Sequence, residues 1–304
     1  MKTFSLRPPY SRITIVLVCI LFISGFRYAG DKDTNSNQNL LQFKSPPLPE
    51  SFSFAGEQVP LSDPGIREQW DREVLYNYYL PNSILYIIKL SHRYFPQIEE
   101  RLKLHGVPED MKYLCVAESN LQQLVSKAGA AGFWQFMPGT APAFGLEVNS
   151  QVDERYHIEK STDAACKYLK QAYAQLGSWT AAAASYNCGM GAYAGQASFQ
   201  GTRNYYRLLL PEETNRYIFR ILTFKYFIEE ADKLGFIIDK DQQYTPQSVR
   251  RISVSQSIPN LAEFARQQGY DYKSLKYYNP WLRGKSLTVS KGKTYTLMLP
   301  GGDK

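Results

Sequence analysis

Glu118 occupies a position that a charged residue normally avoids. Residues 108–120 read as one helix: Pro108 suits its first position, and Glu109 and Asp110 complement the positive end of its dipole. Met111, Leu114 and Cys115 form an apolar face at i, i+3 and i+4, and the next position on that face, i+7, is Glu118. Desolvation disfavours the charged form of a carboxyl group, so its pKa should rise. A carboxyl that stays protonated near neutral pH can serve as a general acid. The competing explanation is a buried salt bridge, and helix position alone does not separate the two.

The nearby sequence offers Glu118 no partner carboxylate. Residues 119–146 contain no Asp or Glu, and Asp110 and Glu109 lie eight and nine residues upstream on the same helix. That is roughly 12–13 Å along the axis, beyond the ~5–9.5 Å between the two carboxyl groups of ordinary glycosidases. A distant segment remains free to supply one. His92, His105 and His157 are scattered without zinc-ligand spacing, and no Gly-Lys-Ser/Thr phosphate loop occurs. No metal and no other cofactor is expected.

The elements that must position Glu118 are mostly helices. Apolar periodicity predicts helical runs at about 66–80, 82–94, 97–105, 109–121, 161–176, 179–187 and 213–234, with Ser161 as an N-cap. Residues 31–65 read as a linker: a polar stretch, then Pro46, Pro47, Pro49, Pro60 and Pro64. Beyond Gly235 the pattern changes to strand, two short helices and strand, at about 251–254, 259–268, 273–278 and 294–299. The 304 residues thus divide into a leader (1–30), the linker, a helical domain (66–239) and a small α/β module (245–304).

Four stretches in order resemble one family. They are Glu118-Ser119, the run Ser126-Lys-Ala-Gly-Ala-Ala-Gly-Phe-Trp-Gln-Phe-Met-Pro-Gly-Thr-Ala141, Ser185-Tyr-Asn-Cys-Gly-Met-Gly191, and Glu213-Thr-Asn-Arg-Tyr217. Together they resemble the soluble lytic transglycosylase (SLT, goose-type lysozyme-like) family over about residues 80–235, with the membrane-bound D type the nearest arrangement. The resemblance implies a mainly α, lysozyme-like fold that cleaves the MurNAc–GlcNAc bond of peptidoglycan. It implies that Glu118 protonates the glycosidic oxygen. As a carboxylate, Glu118 then takes the proton of the sugar's C6 hydroxyl, which closes on C1 to leave a 1,6-anhydro-MurNAc end.

The same resemblance nominates Ser119, Ser126, Trp134, Gln135, Tyr186, Asn187 and Tyr217 for substrate binding. Gln135 and Asn187 are suited to hydrogen-bonding N-acetyl or hydroxyl groups, and the Tyr186 hydroxyl to steadying the Glu118 carboxyl. Each has a plainer alternative: Ser126 as a turn cap, Trp134 and Phe133 as core, Asn187 as a helix-ending residue. Trp134 stands where the family usually has Met, and Ser185 where it has Ala. Gly129 and Gly132 permit a tight loop that brings backbone close to substrate.

The C-terminal module resembles a degenerate LysM wall-binding module. The match rests on Leu261-Ala-Glu-Phe-Ala, Leu275-Lys-Tyr-Tyr-Asn-Pro280 and Leu297-Met-Leu-Pro300, with Ser255-Gln-Ser257 in place of the usual Gly-Asp-Thr. Tyr272, Tyr277, Tyr278 and Trp281 are candidates to stack on sugar rings or to pack the module itself.

Charge is uneven along the chain: +4 over residues 1–30, −4 over 31–239 and +7 over 240–304, for a net +7. The basic module therefore suits an anionic envelope surface, and the acidic middle argues against nucleic acid as a partner. The leader has Lys2, Arg7 and Arg12 ahead of an uncharged run at 13–26, which suits an export signal or a membrane anchor. The expected place is the bacterial cell envelope, periplasmic or membrane-associated. Two further readings stay open: a goose-type lysozyme hydrolysing the same bond, and a non-catalytic wall-binding protein.

Overall fold

The computed structural model describes residues 44–301, and the leader expected at 1–30 lies outside them. The packed body begins at Ser45. Its elements are β1 (Ser53–Phe54), β2 (Glu57–Gln58), α1 (Pro64–Tyr78), α2 (Pro81–Leu104), α3 (Met111–Ser119), α4 (Ile158–Leu176), α5 (Trp179–Cys188), α6 (Met190–Gln200) and α7 (Glu212–Glu229). The C-terminal module follows as β3 (Val249–Val254), α8 (Leu261–Gln267), α9 (Tyr272–Tyr278) and β4 (Tyr295–Pro300). The molecule is a lysozyme-like helical body with a small α/β module. Among the described residues no helix is long and apolar enough to cross a membrane.

Helix α3 lies at the centre of the helical body. Met111 to Ala117 are all buried, and the helix packs between α2 and α7. It starts later than expected, because Pro108, Glu109 and Asp110 stand ahead of it. The Asp110 carboxylate instead accepts from the Ala55 amide at 2.7 Å and from Lys225 Nζ at 2.6 Å. The helix ends at Asn120 (φ 52°), followed by Leu121 (φ 57°), two consecutive left-handed residues that turn the chain immediately after Glu118.

Several expected boundaries change. The runs at 82–94 and 97–105 form one helix, α2, with Pro96 inside it. Ile84, Ile87, Ile88, Phe95, Ile98 and Leu102 form one buried stripe, and its burial outweighs the cost of a mid-helix proline, about 3 kcal/mol. Ser161 does not cap α4: the helix starts three residues earlier at Ile158, and the Ser161 hydroxyl donates back to the Ile158 carbonyl at 3.2 Å. Helix α6 was not expected, because its Gly- and Ala-rich sequence buries only Tyr193 and Ala197.

The expected linker is, from residue 45, part of the packed body. Phe54, Val59 and Leu61 are buried, and Leu48 and Phe52 pack against the same core. The β1–β2 hairpin brings Glu57 to the start of α5. There its carboxylate accepts from the Trp179 amide (2.6 Å), the Thr180 amide (3.0 Å) and the Ser178 hydroxyl (2.8 Å). A carboxylate at a helix N-terminus complements both the dipole and the free amides.

The module has the expected order, strand–helix–helix–strand. β3 and β4 pair antiparallel from Val249↔Pro300 to Val254↔Tyr295. Leu261, Ala265, Leu275, Leu297 and Leu299 fill its core.

Candidate active site

Glu118 sits at the last turn of α3, packed against α7, and lines a cleft of about 780 Å³. Burial pushes its pKa up to about 7; the Tyr217 hydroxyl and the charge of Arg220 pull it down, and the charge of Glu213 pushes it up. Tyr217 donates a short hydrogen bond to Glu118 Oε1. Glu213, Tyr217 and Arg220 follow one another at i, i+4 and i+7 along α7, one face of that helix. The result is a carboxyl group poised to give and take a proton near neutral pH.

The opposite wall is the loop after α3. Ser126 closes a turn there: its amide donates to the Ala130 carbonyl at 2.9 Å, and its Oγ accepts from the Ala130 amide at 3.0 Å. Gln135 adopts a left-handed backbone (φ 48°), and its side-chain nitrogen donates to the carbonyls of Gly132 (2.7 Å) and Leu124 (3.2 Å). Ser126, Gln135, Tyr186, Asn187 and Tyr217 all line the cleft with Glu118. Asn187 is tied to α7: Nδ2 donates to Glu213 at 3.1 Å, and Oδ1 accepts from the Thr214 hydroxyl at 2.7 Å.

Other nominated residues are placed differently. The Trp134 ring is fully buried, and its Nε1 donates to Thr162 Oγ1 at 2.9 Å, so it serves the core and not the cleft. Phe133 is buried as well, edge-on to Tyr94. Ser119 is buried one step round the helix from Glu118, its hydroxyl donating to the Cys115 carbonyl at 3.2 Å. The Tyr186 hydroxyl donates to the Trp134 carbonyl at 2.8 Å, so Tyr217 has the role expected of Tyr186 beside Glu118. Gly132 meets protein and not the cleft: a Cβ there would lie 1.9 Å from the Arg155 carbonyl oxygen.

Sequence reasoning missed the charged residues of α1 and α7. Glu73, Glu212, Glu213, Arg216 and Arg220 also line the cleft. Glu73 is buried and bonded to Arg216 at 2.6 Å, whose guanidinium lies over the Tyr76 ring. No pattern near Glu118 in the sequence points to α7, which arrives about a hundred residues later. Among the described residues no cluster of His, Cys, Asp and Glu is arranged to hold a metal ion.

Comparison with known families fits this geometry. Residues 96–208 match the transglycosylase SLT domain, a span that includes Glu118 and the loop facing it. That stretch of the chain resembles an SLT domain. Residues 250–303 match the soluble lytic transglycosylase C-terminal LysM-like domain. The chain is also similar to the membrane-bound lytic murein transglycosylases D of Escherichia coli strain K12 and of E. coli O6:H1 strain CFT073. Each is 26% identical over 258 residues, covering 81% of this chain and 55% of the relative. The chain thus spans about half the length of the curated relatives it matches. Tyr217, which bonds Glu118, lies beyond the matched SLT span, on the helix that closes the cleft.

Proposed function

We propose that this protein is a peptidoglycan lytic transglycosylase that uses Glu118 as acid and then as base. Protonated Glu118 gives its proton to the oxygen linking MurNAc to GlcNAc, and the C1–O bond breaks. The resulting carboxylate takes the proton of the MurNAc C6 hydroxyl, and that oxygen bonds C1. The product is a 1,6-anhydro end, and no water is consumed. The observation that carries this reading is Glu118 buried in the cleft wall with the Tyr217 hydroxyl on its carboxylate, a setting in which burial pushes its pKa up to about 7. A carboxyl with that pKa can perform both proton transfers at one pH. Ser126, Gln135 and Asn187 are proposed to contact the glycan, and the protein is proposed to act in the cell envelope.

Glu213 favours a second reading. It shares the cleft, its charge acts on Glu118, and it accepts from Asn187. A second carboxylate could activate water, which would make the enzyme a hydrolase of the same bond. Mass spectrometry of digested sacculi separates the two. Anhydro ends, lighter by one water than reducing ends, are expected from wild type and absent with Glu118→Gln. Reducing ends alone would establish the hydrolase.

A further inference from the structure

The C-terminal module is bonded to the wall of the cleft through two layers of contacts. The first joins it to residues 147–159. Gln151 is gripped on both its backbone and its side chain. Its carbonyl accepts from the amides of Arg283 (2.7 Å) and Gly284 (3.2 Å), its Nε2 donates to Ser286 Oγ (3.0 Å), and its Oε1 accepts from the Thr288 amide (2.9 Å). The Asp153 amide donates to the Trp281 carbonyl at 2.8 Å. Glu147 accepts from Lys293 and Tyr295, and Arg251 pairs with Glu159.

The second layer joins that segment to the loop facing Glu118, and Arg155 is its pivot. The buried guanidinium holds the Asp153 carboxylate with Nε at 2.9 Å and Nη2 at 2.7 Å. Its Nη1 donates to the carbonyls of Gly129 (2.7 Å) and Phe136 (3.0 Å), one at each end of the loop's tight part. The absence of a side chain at Gly132 lets the Arg155 carbonyl sit against the loop. Ala131 of the loop and Val152 and Tyr156 of the segment belong to the module's apolar cluster, not to the core of the helical body.

From this continuity we infer that the module is a brace for the catalytic cleft: by gripping residues 147–157 it fixes Arg155, and Arg155 fixes the loop bearing Ser126 and Gln135. Gln151 and Arg155 are positioning residues in this scheme. Two of the module's cations, Arg251 and Lys293, pair with the body and are not left to face a wall polymer. Trp281, a candidate sugar platform by type, is buried between His157 and Tyr295.

The inference rests on Glu118 being the catalyst, so Glu118→Gln is assayed beside the brace variants. In the full chain, Gln151→Ala is expected to stay folded, to lower kcat about tenfold through misplacement of the loop, and to leave sacculus affinity unchanged. Amide exchange over residues 124–136 should quicken, and Gln151→Glu, which keeps an acceptor for Thr288, should restore most of kcat. Arg155→Lys keeps the charge without the two-sided fork and is judged by the same readings. Wild-type kcat, unaltered loop exchange, or lost sacculus affinity with kcat intact would each overturn the brace. Full activity in Glu118→Gln would instead overturn the catalytic reading on which it stands.

Discussion

The Tyr217 hydroxyl on α7 donates to the Glu118 carboxylate on α3, a link between residues ninety-nine positions apart. A donor to the ionised form lowers a carboxyl pKa, and here it opposes burial. The cleft therefore tunes its carboxyl by competition between two effects of opposite sign.

That competition fixes the direction of a pH shift. The proposed acid step needs protonated Glu118, so kcat should fall as pH rises through about 7. Tyr217→Phe removes a pull toward the ionised form, so the descending limb should move to higher pH. Arg220→Gln should move it the same way. Profiles of kcat against pH for the three proteins check both shifts, and a limb moving down in either variant contradicts the assignment.

Stability should carry the same signature. Glu118 has a folded pKa near 7, raised above its ordinary 4.5. The folded state thus binds the proton more tightly, and that contribution is complete below pH 4.5 and lost as pH rises through 7. The loss is on the order of 3 kcal/mol. Glu118→Gln has no such loss, so urea midpoints should show the variant gaining on wild type between pH 5 and 8.

Gly132→Ala should destabilise by at least about 2 kcal/mol. Its φ is +80° and the new Cβ would collide with the Arg155 carbonyl, so backbone must move on one side or the other. Gly129→Ala shares the unfavourable φ but meets nothing within 4 Å. It should cost less, and urea denaturation of the pair measures the collision alone.

Trp134→Phe should act on folding and not on substrate affinity. It removes one hydrogen bond to Thr162, whose hydroxyl keeps its bond to the Ile158 carbonyl, and leaves space in the core, together costing about 1–3 kcal/mol. KM for glycan strands should stay at the wild-type value, and a raised KM with unchanged stability would return the ring to the cleft.

Local pattern made much of this molecule legible. The apolar stripe of α3 pointed to Glu118, and the change of texture after Gly235 marked the module. Periodicity alone did not place the cleft's second wall. Tyr217 and Tyr186 both stand in motif positions, but only the crossing of α7 over α3 decides which hydroxyl meets Glu118. Trp134 and Gln135 are sequence neighbours with opposite fates, because the left-handed backbone at Gln135 turns one side chain inward and the other toward the cleft. Arg155 carried no signal at all: apart from Asp153 two residues away, its partners are carbonyl oxygens, which any sequence supplies.

The Glu57 carboxylate, seated on the amides that begin α5, has a consequence for the docking of the N-terminal segment. Its partners lie more than 120 residues later in the chain. Until α5 is formed, water solvates the carboxylate and the hairpin has no seat on the body. The long loop this contact closes ties the docking of the N-terminal segment to the integrity of α5, so loosening the start of that helix should free the hairpin as well.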